Sequence, residues 1–388
     1  MCLYPRLIEN RKYKRNKKNG WQVPPIKDQR ARYVPVGCGK CIECRKQKSR
    51  EWLVRLQEDL KVNTNAKFIT LTYSTENLRK IIEDDKESIR KKQEKINNLL
   101  AEYTSKSHKK AKKLQMEIKK PLAEMTGYQL DNELVTRSIR LFLERWRKKY
   151  KKSLRHWLVT ELGHGNTEHI HIHGIVWTDK LEELENIWSY GYVWKGKLDI
   201  KTGKLENYVN ERTVNYIVKY LSKVDEKHLN YQGIVLTSSG IGANYKGRNE
   251  YNGIETDETY RTSTGHRISL PIYWRNKIYN DEQKEALWLQ RLDKQERWVC
   301  GERIDIKNGE KEYYEALKYH RERTSKLGYP TPEFMWSVRE YEEQRRKLIQ
   351  EYRLGPKGTG FTLQSLPNSH EGKGFTLQSG VKTANTNT

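Results

Sequence analysis

No stretch of the 388 residues approaches the 18 or so consecutive apolar residues that a membrane span needs, so a membrane protein is not expected. The first twenty residues, MCLYPRLIENRKYKRNKKNG, lack the apolar stretch of a signal peptide, and export is not expected either. Apolar residues make up only 35% of the chain, below the usual 45 to 50%, which argues against one large core and for long solvated helices. There is no Gly-x4-Gly-Lys-Ser/Thr sequence, so no phosphate-cradling ATPase loop is fused to the chain and any duplex unwinding falls to a separate helicase. Cysteine is scarce and odd in number, five in all, and three of them crowd into Cys38-Gly-Lys-Cys41-Ile-Glu-Cys44, too tightly for ordinary disulfides.

What is plentiful is positive charge and aromatic side chains. Seventy-five Lys and Arg against 50 Asp and Glu leave a net charge of +25, which points to a polyanionic partner. Eleven Trp, 24 Tyr and 5 Phe argue that the chain folds, because disordered chains are poor in aromatics. The expected pieces follow in order. Residues 1–62 hold a basic irregular arm, the cysteine run and a helix from about Glu43 to Val62 with Trp52, Leu53, Leu56 and Leu60 at helical spacing. Phe68-Ile-Thr-Leu-Thr-Tyr73 reads as a buried strand, and the charged run over about 76–126 as an inserted helical hairpin ended near Pro121. A helix over Leu134–Lys149 sets Val135, Ile139, Phe142 and Trp146 on one face, with arginines including Arg137 and Arg140 around the rest. Two strands, His156–Glu161 and His169–Trp177, flank a glycine-bearing loop and close a central domain reaching to about 235 that also holds a helix over 206–224. Residues 236–354 read as loop-rich and then helical, with helices over 281–300 and 332–354. The tail from 355 to 388, which repeats Gly-Phe-Thr-Leu-Gln-Ser at 360–365 and 374–379, reads as disordered.

Three groups of residues carry chemistry. His169, His171 and His173 alternate along one strand, so all three leave the same face of the sheet. Imidazoles two apart converge on one ion, and Glu161 at the end of the preceding strand adds a hard oxygen ligand. Either His169 or Glu161 completes the set, and a site with open positions is built for catalysis rather than for structure. The bland alternative is a set of packed histidines on an aromatic strand. Tyr216 and Tyr220 lie four apart on a helix, hence on one face, and Lys219 and Lys223 follow the same spacing one face over, within reach of phosphates. A phenol with a pKa near 10 is a poor nucleophile unless its target is polarised, so the pair gains meaning only beside the His strand. Cys38, Cys41 and Cys44, with Cys2 as a fourth thiolate, form a candidate structural zinc site; an iron–sulfur cluster and free reduced thiols are the alternatives, and Cys300 reads as a bystander. The Ser239-Gly-Ile-Gly stretch is a candidate for close approach to a phosphate backbone, though such loops are more often plain turns.

His171-Ile-His173-Gly174 after a Glu-Leu-Gly turn, Phe-Ile-Thr-Leu-Thr-Tyr upstream and Tyr-Ile-Val-Lys-Tyr-Leu-Ser-Lys downstream resemble the HUH endonucleases that initiate rolling-circle replication. More narrowly, Cys2, Pro35, the Cys-Gly-Lys-Cys-x-x-Cys run, the Arg-rich helix and the two-tyrosine helix look like the replication initiators of small tailless single-stranded-DNA phages, the Microviridae. The likeness covers about residues 1–75 and 134–245; His169 and the insert at 76–126 depart from the pattern. It implies an α+β endonuclease on a central antiparallel sheet, with His171, His173 and a third ligand holding Mg2+ or Mn2+ and with Tyr216 and Tyr220 alternating as nucleophiles. Lys219 would assist them, and Lys223, Arg137 and Arg140 would contact DNA. The expected partners are single-stranded phage origin DNA, a host helicase and a host DNA polymerase, in the host bacterial cytoplasm. A transposase or plasmid relaxase of the same superfamily, or a non-catalytic basic nucleic-acid-binding protein, are the competing readings.

Overall fold

The computed structural model describes residues 2–165, 168–198, 200, 201, 203, 205–223, 225, 227–245, 258–262, 265–329, 346, 347 and 350. The helix expected over 332–354, apart from those last three residues, and the tail from 355 with its repeats lie outside the described residues. Among the described residues no helix is long and apolar enough to cross a membrane.

The arm begins with a two-stranded antiparallel pair, β1 (Arg6–Glu9) and β2 (Tyr33–Val36), in the register Arg6↔Val36 to Glu9↔Tyr33. Pro35 is tolerated there because each strand has a free edge. Helix α1 (Ile42–Leu60) leads to β3 (Ala66–Leu71). Next come the long α2 (Thr75–Ala101) and α3 (Ser105–Glu117), which pack against each other as a hairpin, and α4 (Gly127–Tyr150). Strands β4 (Arg155–Leu162) and β5 (Ile170–Trp177) pair over their whole length, Glu161 opposite His171 and Val159 opposite His173. A short α5 (Glu183–Ile187), β6 (Val193–Trp194), β7 (Lys197–Leu198) and β8 (Leu205–Glu206) precede α6 (Glu211–Ser222). Beyond it lie β9 (Val235–Thr237), the ribbon of β10 (Thr259–Arg261) and β11 (Arg267–Ser269), and helices α7 (Ile272–Ile278) and α8 (Asp281–Asp293). The hairpin β12 (Glu296–Val299) and β13 (Glu302–Asp305) and helix α9 (Lys311–Lys326) follow.

The fold is mixed α and β with antiparallel sheets. Its centre is a five-stranded sheet in the order β6-β3-β5-β4-β9, which puts the histidine strand in the middle. Because side chains alternate along β4 and β5, one face presents Leu158, Leu162, Ile170, Ile172 and Val176 to α4, where Leu134, Val135, Phe142 and Trp146 are buried. The other presents Trp157, Val159, Ile175 and Trp177 to Leu56 of α1 and to Val214, Ile217, Val218 and Leu221 of α6.

Four expectations change. The arm is not free of core: Leu3 is fully buried with Cys41, Ile42, Val299, Ile304 and Leu317, so it borrows apolar partners from the far end of the chain. The charged hairpin is rooted in the core through Leu78, Ile81, Leu122 and Met125, and Asp85 of α2 pairs with Arg137 of α4. The helix expected over 281–300 stops at Asp293, because Cys300 and Gly301, at φ +49° and +98°, make the two-residue turn that reverses β12 into β13. The Ser239–Gly242 stretch is an internal turn: Ile241 is fully buried and the Gly242 amide donates to Asp59 Oδ1 at 2.9 Å.

Candidate active site and thiol cluster

Helix α6 places the tyrosines. Its start is fixed by Asn210, whose side chain accepts from the Thr213 amide at 3.0 Å while Thr213 Oγ1 accepts from the Asn210 amide. With Val214, Ile217, Val218 and Leu221 buried on the sheet, Tyr216 and Tyr220 are left along the border of that contact. Their hydroxyls are 2.7 Å apart. Tyr216 is 53% exposed and leans edge-on against Phe68 of β3, whereas the Tyr220 ring stacks on His173 at 4.7 Å and 4°. Burial, the bond to Tyr216 and the nearby Glu161 carboxylate push the Tyr220 phenol well above its ordinary range. Lys219 and Lys223 are exposed on the same helix and just past it.

The sheet supplies the rest. Glu161, His171 and His173 leave the face of the sheet that α6 covers, and His173 Nε2 lies 3.0 Å from Glu161 Oε2. The other His173 nitrogen, Nδ1, lies 3.0 Å from Thr70 Oγ1 on β3, so both ring nitrogens are held and the ring plane is set. His171 stands beside it with ring centroids 6.4 Å apart, and burial, then the neighbouring His173, lower its pKa, keeping it in the neutral form that ligates metals. Gly163, after β4, is required by close approach: a Cβ there would lie 2.7 Å from His171 Cε1. His169 directs Nε2 to Thr75 Oγ1 at 3.1 Å in the first turn of α2, and its carbonyl accepts from the Gly163 amide. The carboxylate bonded to His173 is therefore Glu161, while His169 ties the strand entrance to α2. Glu161, His171 and His173 offer two nitrogens and an oxygen on one face, a donor set suited to Mg2+ or Mn2+.

The proposed DNA contacts divide. Arg140 is exposed on α4, but Arg137 is bound to Asp85, to Glu133 Oε1 at 3.1 Å and to the Lys120 carbonyl at 2.7 Å, so its charge is spent inside the molecule.

The cysteines form a second site. Among the described residues, Cys2, Cys38, Cys41 and Cys44 are the one group of His, Cys, Asp or Glu whose ligand atoms all lie within 4.8 Å of one another; Glu161 and the histidines are not drawn as close. The Cys2 and Cys41 sulfurs are 3.8 Å apart, the edge of a tetrahedron with metal–sulfur bonds of about 2.3 Å. Backbone amides aim at the sulfurs: Cys38 and Tyr4 donate to Cys2 at 3.2 and 3.3 Å, and Cys41 and Lys40 to Cys38 at 3.3 and 3.4 Å. Hydrogen bonds from the other three thiols pull the Cys38 pKa down, whereas contact with Cys2 and Cys38 pushes those of Cys41 and Cys44 up. Four sulfurs so close ionise together only around a cation. Sequence reasoning missed two cations beside this cluster, Arg45 and Lys48, which carry no motif and become visible only when α1 packs against α6.

No curated protein and no solved structure matches the chain. A family model described as a replication-associated protein of the ORF2 type matches residues 125–225, about a quarter of the chain. That stretch holds α4, β4, β5 and most of α6, with Glu161, His171, His173, Tyr216 and Tyr220 all inside it, and the likeness supports a place for the protein among the rolling-circle replication initiators.

Proposed function

We propose that the protein is an HUH-type endonuclease of the microvirus kind, which nicks single-stranded origin DNA through its tyrosines and rejoins the ends. The observation that carries this reading is the meeting of His173 with both Glu161 and Tyr220, a metal-type donor set in contact with a tyrosine pair. A divalent ion held by His171, His173 and Glu161, Mg2+ or Mn2+, would supply positive charge to the scissile phosphate. Tyr216, the more exposed hydroxyl, is the first nucleophile: its oxygen bonds to phosphorus as the bond to the 3′ oxygen breaks, its proton leaves to water, and the 3′ oxygen takes up a proton. The phosphotyrosine ester conserves the bond energy, so the released 3′ end attacks it later without ATP. Tyr220, 2.7 Å away, supplies the second cut. Lys219, with Lys223 and Arg140, would contact the phosphate backbone, and the net charge of +25 serves that backbone rather than sequence reading. The four cysteines hold a structural Zn2+ that pins the arm to α1. DNA replication in a host cell, with a host helicase and polymerase, follows from this reading.

The test is a pair of assays on a short single-stranded oligonucleotide. His171→Ala and His173→Ala should each abolish Mn2+-dependent nicking and leave binding within about twofold, because the basic surface carries affinity. Retained nicking in either variant would remove the metal role.

A further inference from the structure

Between the cysteine loop, α1 and α6 a cleft opens beside the candidate active site, enclosing about 640 Å3 counted out to its mouth, within the range of ligand clefts. Gly39, Arg45 and Lys48 form one wall; Glu161, Tyr220 and Lys223 lie across it. Its charges are unevenly satisfied. Of its two carboxylates, Glu161 bonds to His173, and Asp225 bonds to His228 Nδ1 at 2.8 Å. The three cations have no carboxylate partner among the described residues. Arg45 is only 6% exposed, and the partners of its guanidinium are two carbonyls, Lys40 O at 2.9 Å and Lys223 O at 3.4 Å. A buried guanidinium without a counter-charge is costly, and a guanidinium flanked by two ammonium groups matches a phosphate.

We infer that this cleft is a subsite for one backbone phosphate of the DNA strand, next to the scissile phosphate and held by Arg45 and Lys48 with Lys223. The inference rests on the single-stranded-DNA reading above and extends it to residues outside the stretch matched by the family model. The cysteine cluster then has a functional consequence, because the Cys38–Cys44 turn sets the wall from which Arg45 projects. Tyr220 lies on the opposite wall, so a strand seated on Arg45 is led toward the tyrosine pair.

The test is the salt dependence of binding of a short fluorescent single-stranded oligonucleotide, measured without divalent ions so that no strand is cut. Each phosphate contact contributes about −0.7 to the slope of log K on log salt. Lys48→Gln and Arg45→Gln should each reduce the slope by about 0.7, and because both serve one phosphate the double variant should lose about 0.7 as well. An unchanged slope in Lys48→Gln, or a loss of about 1.4 in the double variant as for two independent contacts, would overturn the subsite. Should Arg45→Gln fail to fold, Lys48→Gln and Lys48→Glu carry the test, since Lys48 is exposed. An inactive nuclease would leave these slopes intact, and altered slopes would leave nicking unaddressed, so failure of either reading is recognised separately.

Discussion

Under α4, strands β4 and β5 present Leu158, Leu162, Ile170, Ile172 and Val176 to an apolar layer that is closed along its length. Toward α1 and α6 the same strands present Trp157, Val159, Ile175 and Trp177 and then, at one end, Glu161, His171 and His173 against two tyrosines. Strand alternation thus lets β5 serve stability with every even-numbered side chain and chemistry with His171 and His173 among the odd ones. The rigid face holds the reactive one: the His173 ring is fixed by Thr70, Glu161 and Tyr220 only because the strands that carry these groups are clamped by α4.

That division can be broken from either side. The largest stability loss should come from the closed face. Phe142→Ala removes a fully buried ring and should cost about 3–5 kcal/mol, read by denaturant unfolding, with nicking per folded molecule unchanged. A smaller stability loss combined with lost nicking would mean that the two faces are not separable. Next is the thiol cluster: Cys44→Ala, or chelation of bound zinc, should lower the melting temperature and expose the arm to protease, because Leu3 and Cys41 share one small core with α9. Equal melting with and without chelator would show that the thiols pack without an ion. On the reactive face, Gly163→Ala should reduce nicking by about tenfold or more at a stability cost of about 1 kcal/mol, since the added methyl displaces His171 while the apolar layers stay intact. A normal rate in that variant would mean that the position of His171 does not matter. The smallest effect belongs to the outer hairpin. Replacing residues 87–116 by a short Gly/Ser linker spares Leu78, Ile81, Asp85 and Leu122 and should change stability by about 1 kcal/mol or less. Deleting the whole of 76–126 removes those residues and should unfold the chain, so circular dichroism separates the two deletions.

Much of this was legible in the residues. The alternation of His169, His171 and His173 and the i, i+4 tyrosines each describe one short element, and period alone places them. The antiparallel pairing of β4 with β5 follows from the loop between them. What local pattern does not reveal is long-range contact. Nothing in MCLYPRLIEN shows that Leu3 packs on Val299 and Leu317 or that Arg321 donates to its carbonyl, and nothing in the α4 sequence shows that Arg137 is matched by Asp85 in the preceding hairpin. The third histidine misleads for a similar reason. His169 continues the alternation but precedes the first residue of β5, and its ring goes to Thr75 while Glu161, opposite His171 in register, reaches His173. Arg45 is invisible for the same cause, since its burial depends on α6 and on the Lys223 carbonyl.

The central claim is that a tyrosine of α6, set against the His strand, becomes joined to DNA. It is tested most directly by incubating single-stranded DNA and Mn2+ with the wild type, with Tyr216→Phe, with Tyr220→Phe and with both substitutions together, and resolving the products on a denaturing gel. The wild type and each single variant should give a covalent protein–DNA adduct, with Tyr220→Phe close to wild type and both singles impaired in rejoining, and the double variant should give none. An adduct in the double variant, or no adduct in the wild type, would contradict the account.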